Sequence, residues 1–182
     1  MASEKELQDL LQLPLERERA FELLMKSIHQ KVYFFIRRMV LDHDDASDVT
    51  QDVFIKAWKS LSKFRGDSLF STWVMRIAYN ESITFINKKK RILGVPLNEL
   101  QEHLSERLEA DVHYSGDEIQ RKLQVAIAGL PEKQKSVFIM RYYDEVPYKE
   151  MANITGTSVG ALKASYHHAA QKIENALKKQ DW

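Results

Sequence analysis

Apolar residues recur every three or four positions through most of the chain, a period that a helix face can bury and a strand cannot. In residues 16–40 the stripe is Phe21, Leu24, Met25, Ile28, Val32, Phe35, Ile36 and Met39. Asp44 and Asp45 are placed to cap a second helix, whose stripe runs Ala46, Val49, Val53, Phe54, Ala57, Trp58 and Leu61. Gly66 breaks the period, and a third long helix is predicted from about Ser71 to Arg91, burying Trp73, Val74, Ile77, Ala78, Ile83 and Ile86. Three such helices enclose a small core. A first domain is therefore predicted over 16–91, preceded by an N-terminal extension, 1–15.

Gly94, Pro96 and Gly116 mark residues 92–117 as a linker. A second helical unit, 118–182, follows. Its first stripe, Ile119, Leu123 and Ile127, closes at Gly129, and Pro131 suits the first turn of a helix carrying Val137, Phe138, Met140 and Tyr142. Pro147 to Ile173 has helix-turn-helix spacing: a short helix, Tyr148 to Ile154, then Gly156 as a left-handed stop and Thr157 or Ser158 as the next cap. Val159, Leu162, Tyr166, Ala169 and Ile173 share the buried face; Ser158, Gly160, Ala161, Lys163, Ala164, His167 and His168 lie elsewhere. In a DNA-bound helix-turn-helix, the N-terminal part of this second helix enters the major groove. A plain helical hairpin has the same pattern and stays open on this segment alone. The fold class expected is all-α: two small helical domains joined by a flexible acidic linker, the C-terminal one containing a helix-turn-helix.

Charge narrows the function. The chain's net charge is only +1, but 97–118 holds seven acids and one base, so the rest carries +7. Five aspartates and no Lys or Arg fall in 42–52, whereas 56–91 has nine cations and two acids. Such segregation suits a polyanionic partner, although solvated helix faces also produce it. The aspartates do not make a calcium loop, because Ser47 and Val53 stand where that loop needs Gly and Glu. With no cysteine, no His-Glu-x-x-His and no phosphate-binding glycine loop, a catalytic centre or cofactor site is not expected. Neither a secretory leader nor an apolar run long enough to span a bilayer is present, so a cytoplasmic protein without membrane insertion is expected. That location removes the adhesion reading of Arg65-Gly66-Asp67 inside KFRGDSLFSTW, Lys63 to Trp73. Aromatics interleaved with cations instead suit unstacked bases and their phosphates.

Taken together, the chain resembles an extracytoplasmic-function sigma factor, a promoter-specificity subunit of bacterial RNA polymerase. DHDDASDVTQDVFIKAWKSLSKFRGDSLFSTWVMRIAYNESITFINKKKR is similar to that family's region 2, and LPEKQKSVFIMRYYDEVPYKEMANITGTSVGALKASYHHAAQKI to its region 4. The resemblance implies that the loop Ser62–Ser71 reads a melted minus-ten element. Phe64 and Phe70 would pack on a base, Lys63 and Arg65 would hold phosphate, and Gly66 would turn the backbone. Asp67 and Ser68 would meet a base edge, and Asn80 would pair with a flipped base. Trp73 is expected in the core. Lys88, Lys89, Lys90 and Arg91 would add phosphate contacts, beyond complementing the helix dipole. Asp48, Gln51, Asp52, Ile55 and Trp58 would dock on core RNA polymerase. Ser158, Gly160, Ala161, Lys163, Ala164, His167 and His168 would lie at the duplex minus-thirty-five element. Family members usually carry arginines at the places of Ser165 and His168, so bidentate guanine readout is missing there. The acidic linker would thread near the RNA exit path. The partners implied are core RNA polymerase and promoter DNA, duplex and melted, with an anti-sigma factor as an optional third. A stand-alone helix-turn-helix regulator remains the alternative, but it leaves KFRGDSLFSTW and the basic cluster without a purpose.

Overall fold

The computed structural model describes residues 3–94 and 118–179. Every regular element among them is helical. The first was not expected: α1, Glu4–Leu10, opens on a reciprocal capping box between Ser3 and Glu6 and lies within the predicted extension. Helix α2, Arg17–Val40, carries the predicted stripe inward, with Leu24, Val32, Phe35 and Ile36 fully enclosed. It ends at Leu41, which takes the left-handed conformation at φ 69°. Helix α3, His43–Lys59, is capped by Asp42, whose carboxylate accepts from the amides of Asp44 at 3.0 Å and Asp45 at 3.1 Å. Asp44 and Asp45 therefore sit inside the first turn, where their charge complements the helix dipole, and the cap is two residues earlier than expected.

Helix α4, Phe70–Leu93, runs slightly longer than predicted at both ends and stops at Gly94, φ 62°. The predicted linker beyond Gly94 lies outside the described residues. In the second unit, α5 covers Glu118–Ala128 and α6 covers Glu132–Tyr142, with Pro131 at the N-cap rather than inside the first turn. The helix-turn-helix follows as α7, Tyr148–Thr155, and α8, Val159–Lys179, separated by Gly156 at φ 69°. Of the two caps expected for α8, Ser158 is used: its hydroxyl accepts from the Ala161 amide at 3.3 Å.

Helices α2, α3 and α4 pack against one another, with α1 laid on α2; α5, α6 and α7 pack on α8. The two groups also meet, α2 on α6 and α4 on α7, and their buried side chains form one continuous core. Polar contacts stitch this seam. Thr72 donates to the Glu150 carboxylate at 2.8 Å, the Arg76 guanidinium donates to the Asn153 carbonyl at 2.7 Å, and Lys90 pairs with Glu132. The Arg38 guanidinium lies 4.0 Å over the Tyr143 ring. No helix among the described residues is long and apolar enough to cross a membrane.

Candidate nucleic-acid interface

Between α3 and α4 the chain makes one 3-10 turn, Leu61–Lys63, and a short loop whose tightest bend is Gly66 at φ 77°. That backbone region disfavours any residue with a Cβ, which is the reason for glycine here. The loop folds its aromatics inward. Phe64 is 6% exposed and Phe70 fully buried, with ring centroids 5.7 Å apart, edge to face. Trp73 closes the cluster at 5.1 Å from Phe64, while Phe21 of α2 packs on Phe70 at 5.8 Å. Phe64 and Phe70 are thus core side chains in this conformation and offer no face to a base. Trp73, expected in the core, is only partly buried against it.

The polar members of the loop point the other way. Lys63, Arg65, Gly66 and Asp67 are exposed, and Arg65 pairs loosely with Asp67 at 3.4 Å, both side chains open to water. A cleft of about 190 Å³ opens beside them, lined by Asp67, Ser68, Thr72, Trp73, Arg76 and, from α7, Asn153. Asn80 is exposed two turns along α4, seven residues from Trp73 and so nearly on the same face. Arg76 shares that face and was not singled out in the sequence. An exposed cation three residues past Trp73 was the available signal.

The basic cluster at the end of α4 is half engaged within the protein. Lys89 pairs with Asp45 and Lys90 with Glu132, and both lysines are only partly exposed. Lys88 and Arg91 remain outward. Sequence reasoning treated the four as one phosphate surface; the acids that claim two of them lie more than forty residues away.

On α3, Asp48, Gln51, Asp52, Ile55 and Trp58 are all exposed, as the spacing of three and four requires of one face. Ile55 is 43% and Trp58 45% exposed. They border an apolar groove of about 700 Å³ between α2 and α3, floored by Phe21, Met25 and Phe54. At the cap, Ser158, and along α8, Gly160, Ala161, Lys163, Ala164, His167 and His168 are likewise exposed, while Leu162 and Ala169 are buried beneath them.

Two residues that sequence reasoning passed over hold the loop. Gln8 and Glu4, from α1, bond to Ser68, Phe70 and Ser71, more than sixty positions away along the chain for most of these bonds. No periodic signal announces such a contact.

Residues 24–92 match the family described as Sigma-70 region 2, and residues 120–173 the one described as Sigma-70, region 4. The chain is 31% identical over 170 residues to the RNA polymerase sigma-H factor of Pseudomonas aeruginosa, spanning 88% of this chain and 87% of that one. It is 27% identical over 167 residues to the ECF RNA polymerase sigma factor SigW of Bacillus subtilis, spanning 87% and 89%. The fold is similar to that of CnrH in complex with the cytosolic domain of CnrY, with a TM-score of 0.69, 20% identity and 96% of each chain covered. It is also similar to the sigma factor RpoE bound to the anti-sigma factor NepR from Bartonella quintana, with a TM-score of 0.68, 20% identity, and 88% and 98% covered.

Proposed function

The chain belongs to the extracytoplasmic-function sigma factors of RNA polymerase, and from that premise we propose how its surfaces divide the work of promoter-specific transcription initiation. As a sigma factor it binds core RNA polymerase and directs it to promoter DNA. The single observation that carries this is the ordered pair of family matches, 24–92 and 120–173, which together span most of the chain. Run-off transcription from genomic fragments with purified core enzyme tests it. Discrete transcripts that need both the chain and core are expected; binding of duplex DNA without any dependence on core would replace this reading with a free-standing regulator.

The division of roles is as follows. Asp48, Gln51, Asp52, Ile55 and Trp58 dock on core polymerase, a reading supported by their common exposed face and the apolar groove beside it. The loop 62–71 with Asn80 captures the melted minus-ten strand. Its support is the exposed pair Lys63 and Arg65 and the cleft at Asp67, Ser68 and Trp73. Because Phe64 and Phe70 are buried, stacking falls to Trp73, and the phosphate contacts fall to Lys63, Arg65, Lys88 and Arg91, with Arg76 exposed but held on the Asn153 carbonyl. The exposed face of α8 meets the duplex minus-thirty-five element; with no arginine on it, backbone contacts and duplex shape carry more of the recognition there. The region-2-like unit is 16–91 and the region-4-like unit 118–182, with the acidic 92–117 between them. An anti-sigma factor, such as accompanies RpoE of B. quintana, completes the proposed set of partners.

A further inference from the structure

Helix α4 starts without a cap of its own. Its N-cap residue is Leu69, whose side chain makes no hydrogen bond, so the first amides of the helix need partners from elsewhere. They find them on α1. The Phe70 amide, buried, donates to Gln8 Oε1 at 3.0 Å, and the Ser71 amide donates to Glu4 Oε1 at 2.6 Å. The Ser71 hydroxyl donates to Glu4 Oε2 at 3.1 Å. Gln8 Nε2 then donates to the Ser68 carbonyl at 3.1 Å, so both ends of its amide are committed to the loop. Gln8 itself is 9% exposed, and a Cβ added at Gly66 would sit 3.5 Å from its Nε2.

We infer that α1 is a clamp on the minus-ten loop, with Gln8 and Glu4 as positioning residues for capture of the melted strand. This rests on the reading of loop 62–71 given above. The clamp acts at both feet of the bend. It fixes Ser68, which lines the cleft, and the first turn of α4, which aims Trp73, Arg76 and Asn80. Glu4 also sets a carboxylate against the positive end of the α4 dipole. Without α1, the buried Phe70 amide would lose its acceptor, and the loop would have to rearrange to reach water. The dependence runs both ways. A helix of seven residues is too short to persist alone, so α1 forms because it is docked through Leu11, Gln8 and these bonds. Residues classed from sequence as an extension thereby set the geometry of a reading surface sixty positions later.

The test uses full-length chain in holoenzyme on the strongest promoter fragment recovered by run-off transcription, with permanganate reactivity of melted thymines as the readout. Gln8→Ala and Glu4→Ala are expected to reduce that reactivity about three- to tenfold, the scale of a lost helix cap. Glu4→Gln keeps an acceptor for the Ser71 amide and should restore most of it. Hydrogen exchange of the Phe70 and Ser71 amides in the free chain should quicken in the two alanine variants and not in Glu4→Gln. Ile36→Val, a buried change on α2 of comparable expected destabilisation, should leave melting as in wild type. Arg65→Ala and Asn80→Ala test the loop itself. Reduced melting in those two with normal melting in Gln8→Ala and Glu4→Ala would overturn the clamp and leave the loop reading standing. Normal melting in all four would overturn the loop reading and the clamp with it. A loss in Ile36→Val equal to that in Gln8→Ala would reduce α1 to general stability and overturn the positioning role.

Discussion

Phe64 and Asn80 lie on the same reading surface in sequence terms but play opposite parts in the fold. Phe64 is enclosed by Phe70 and Trp73, whereas Asn80 is exposed on α4. Phe64→Ala should therefore cost roughly 3–5 kcal/mol of folding stability, the range for emptying an aromatic core site. Asn80→Ala should change stability by less than about 0.5 kcal/mol while still reducing promoter melting. Urea unfolding of the two variants checks this: a small loss for Phe64→Ala would return that ring to the surface. The same contrast explains what could be read at this scale. The residue types in KFRGDSLFSTW suit a reading loop, but aromatic residues satisfy a core and a base platform equally well. Only the packing of Phe21 onto Phe70 from another helix decides between them. Lys89 and Lys90 repeat the point, since their acid partners Asp45 and Glu132 are remote in sequence.

At the scale of elements, periodicity carried most of the information. The stripes on α2, α3 and α4 and the outward face of α8 were mostly legible because burial repeats every turn, but Trp58, placed in the α3 stripe, is exposed, and Trp73, Ile77 and Ile83 of α4 are only half-buried. Element ends were less so, because a cap depends on one dihedral pair. Asp42 was available in the sequence beside Asp44 and Asp45, but its extended backbone, φ −116° and ψ 140°, is what makes it the cap. Asp42→Ala should cost about 1 kcal/mol and Asp44→Ala distinctly less, measurable by thermal unfolding; equal losses would mean the dipole term dominates. The short α1 was missed although Ser3 and Glu6 spell a capping box, because seven residues are too few to show a period and much of its stability lies in tertiary bonds. On α3, Asp48→Arg with Asp52→Arg changes only exposed side chains, so folding should persist while affinity for core polymerase falls. Normal sedimentation with core would place the docking face elsewhere. On α8, His168→Arg should tighten binding to the upstream duplex by supplying a bidentate donor, and an unchanged titration at fixed salt would show that this position does not reach the DNA.

For the whole molecule, the decisive feature is the seam between the two helical groups, which no sequence pattern foretold. Three titratable groups are shifted by burial along it. Lys135 on α6, 4% exposed beside the Lys90–Glu132 pair, is lowered to about 8, chiefly by burial, against an opposing pull from Glu132 and with a small push from Lys90. Tyr79 on α4 is raised by burial and by Glu132, against a hydrogen bond with Ser136. Asp144, in the turn after α6, is raised by burial against the pull of Lys31 and Arg38 on α2. Below pH 8 the folded chain holds Lys135 charged in a site that disfavours the charge. Between about 8 and 10.5, the unfolded chain binds the proton more tightly than the folded one, so stability rises with pH across that window. The gain from pH 7.5 to 9.5 should be about 2 kcal/mol. Tyr79 acts in the opposite sense, because its raised value makes the folded state lose stability as the pH passes 10, above this range. The raised Asp144 carboxyl costs stability as the pH rises from the usual carboxylate range. Lys135→Met keeps the volume and removes the charge. It should be more stable than wild type at pH 7.5, with the gap narrowed by about 2 kcal/mol at pH 9.5 and closing only above about 10.5. Parallel unfolding free energies for the two chains across that range would show that Lys135 is solvated in solution, and that the seam between α4 and α6 is open there.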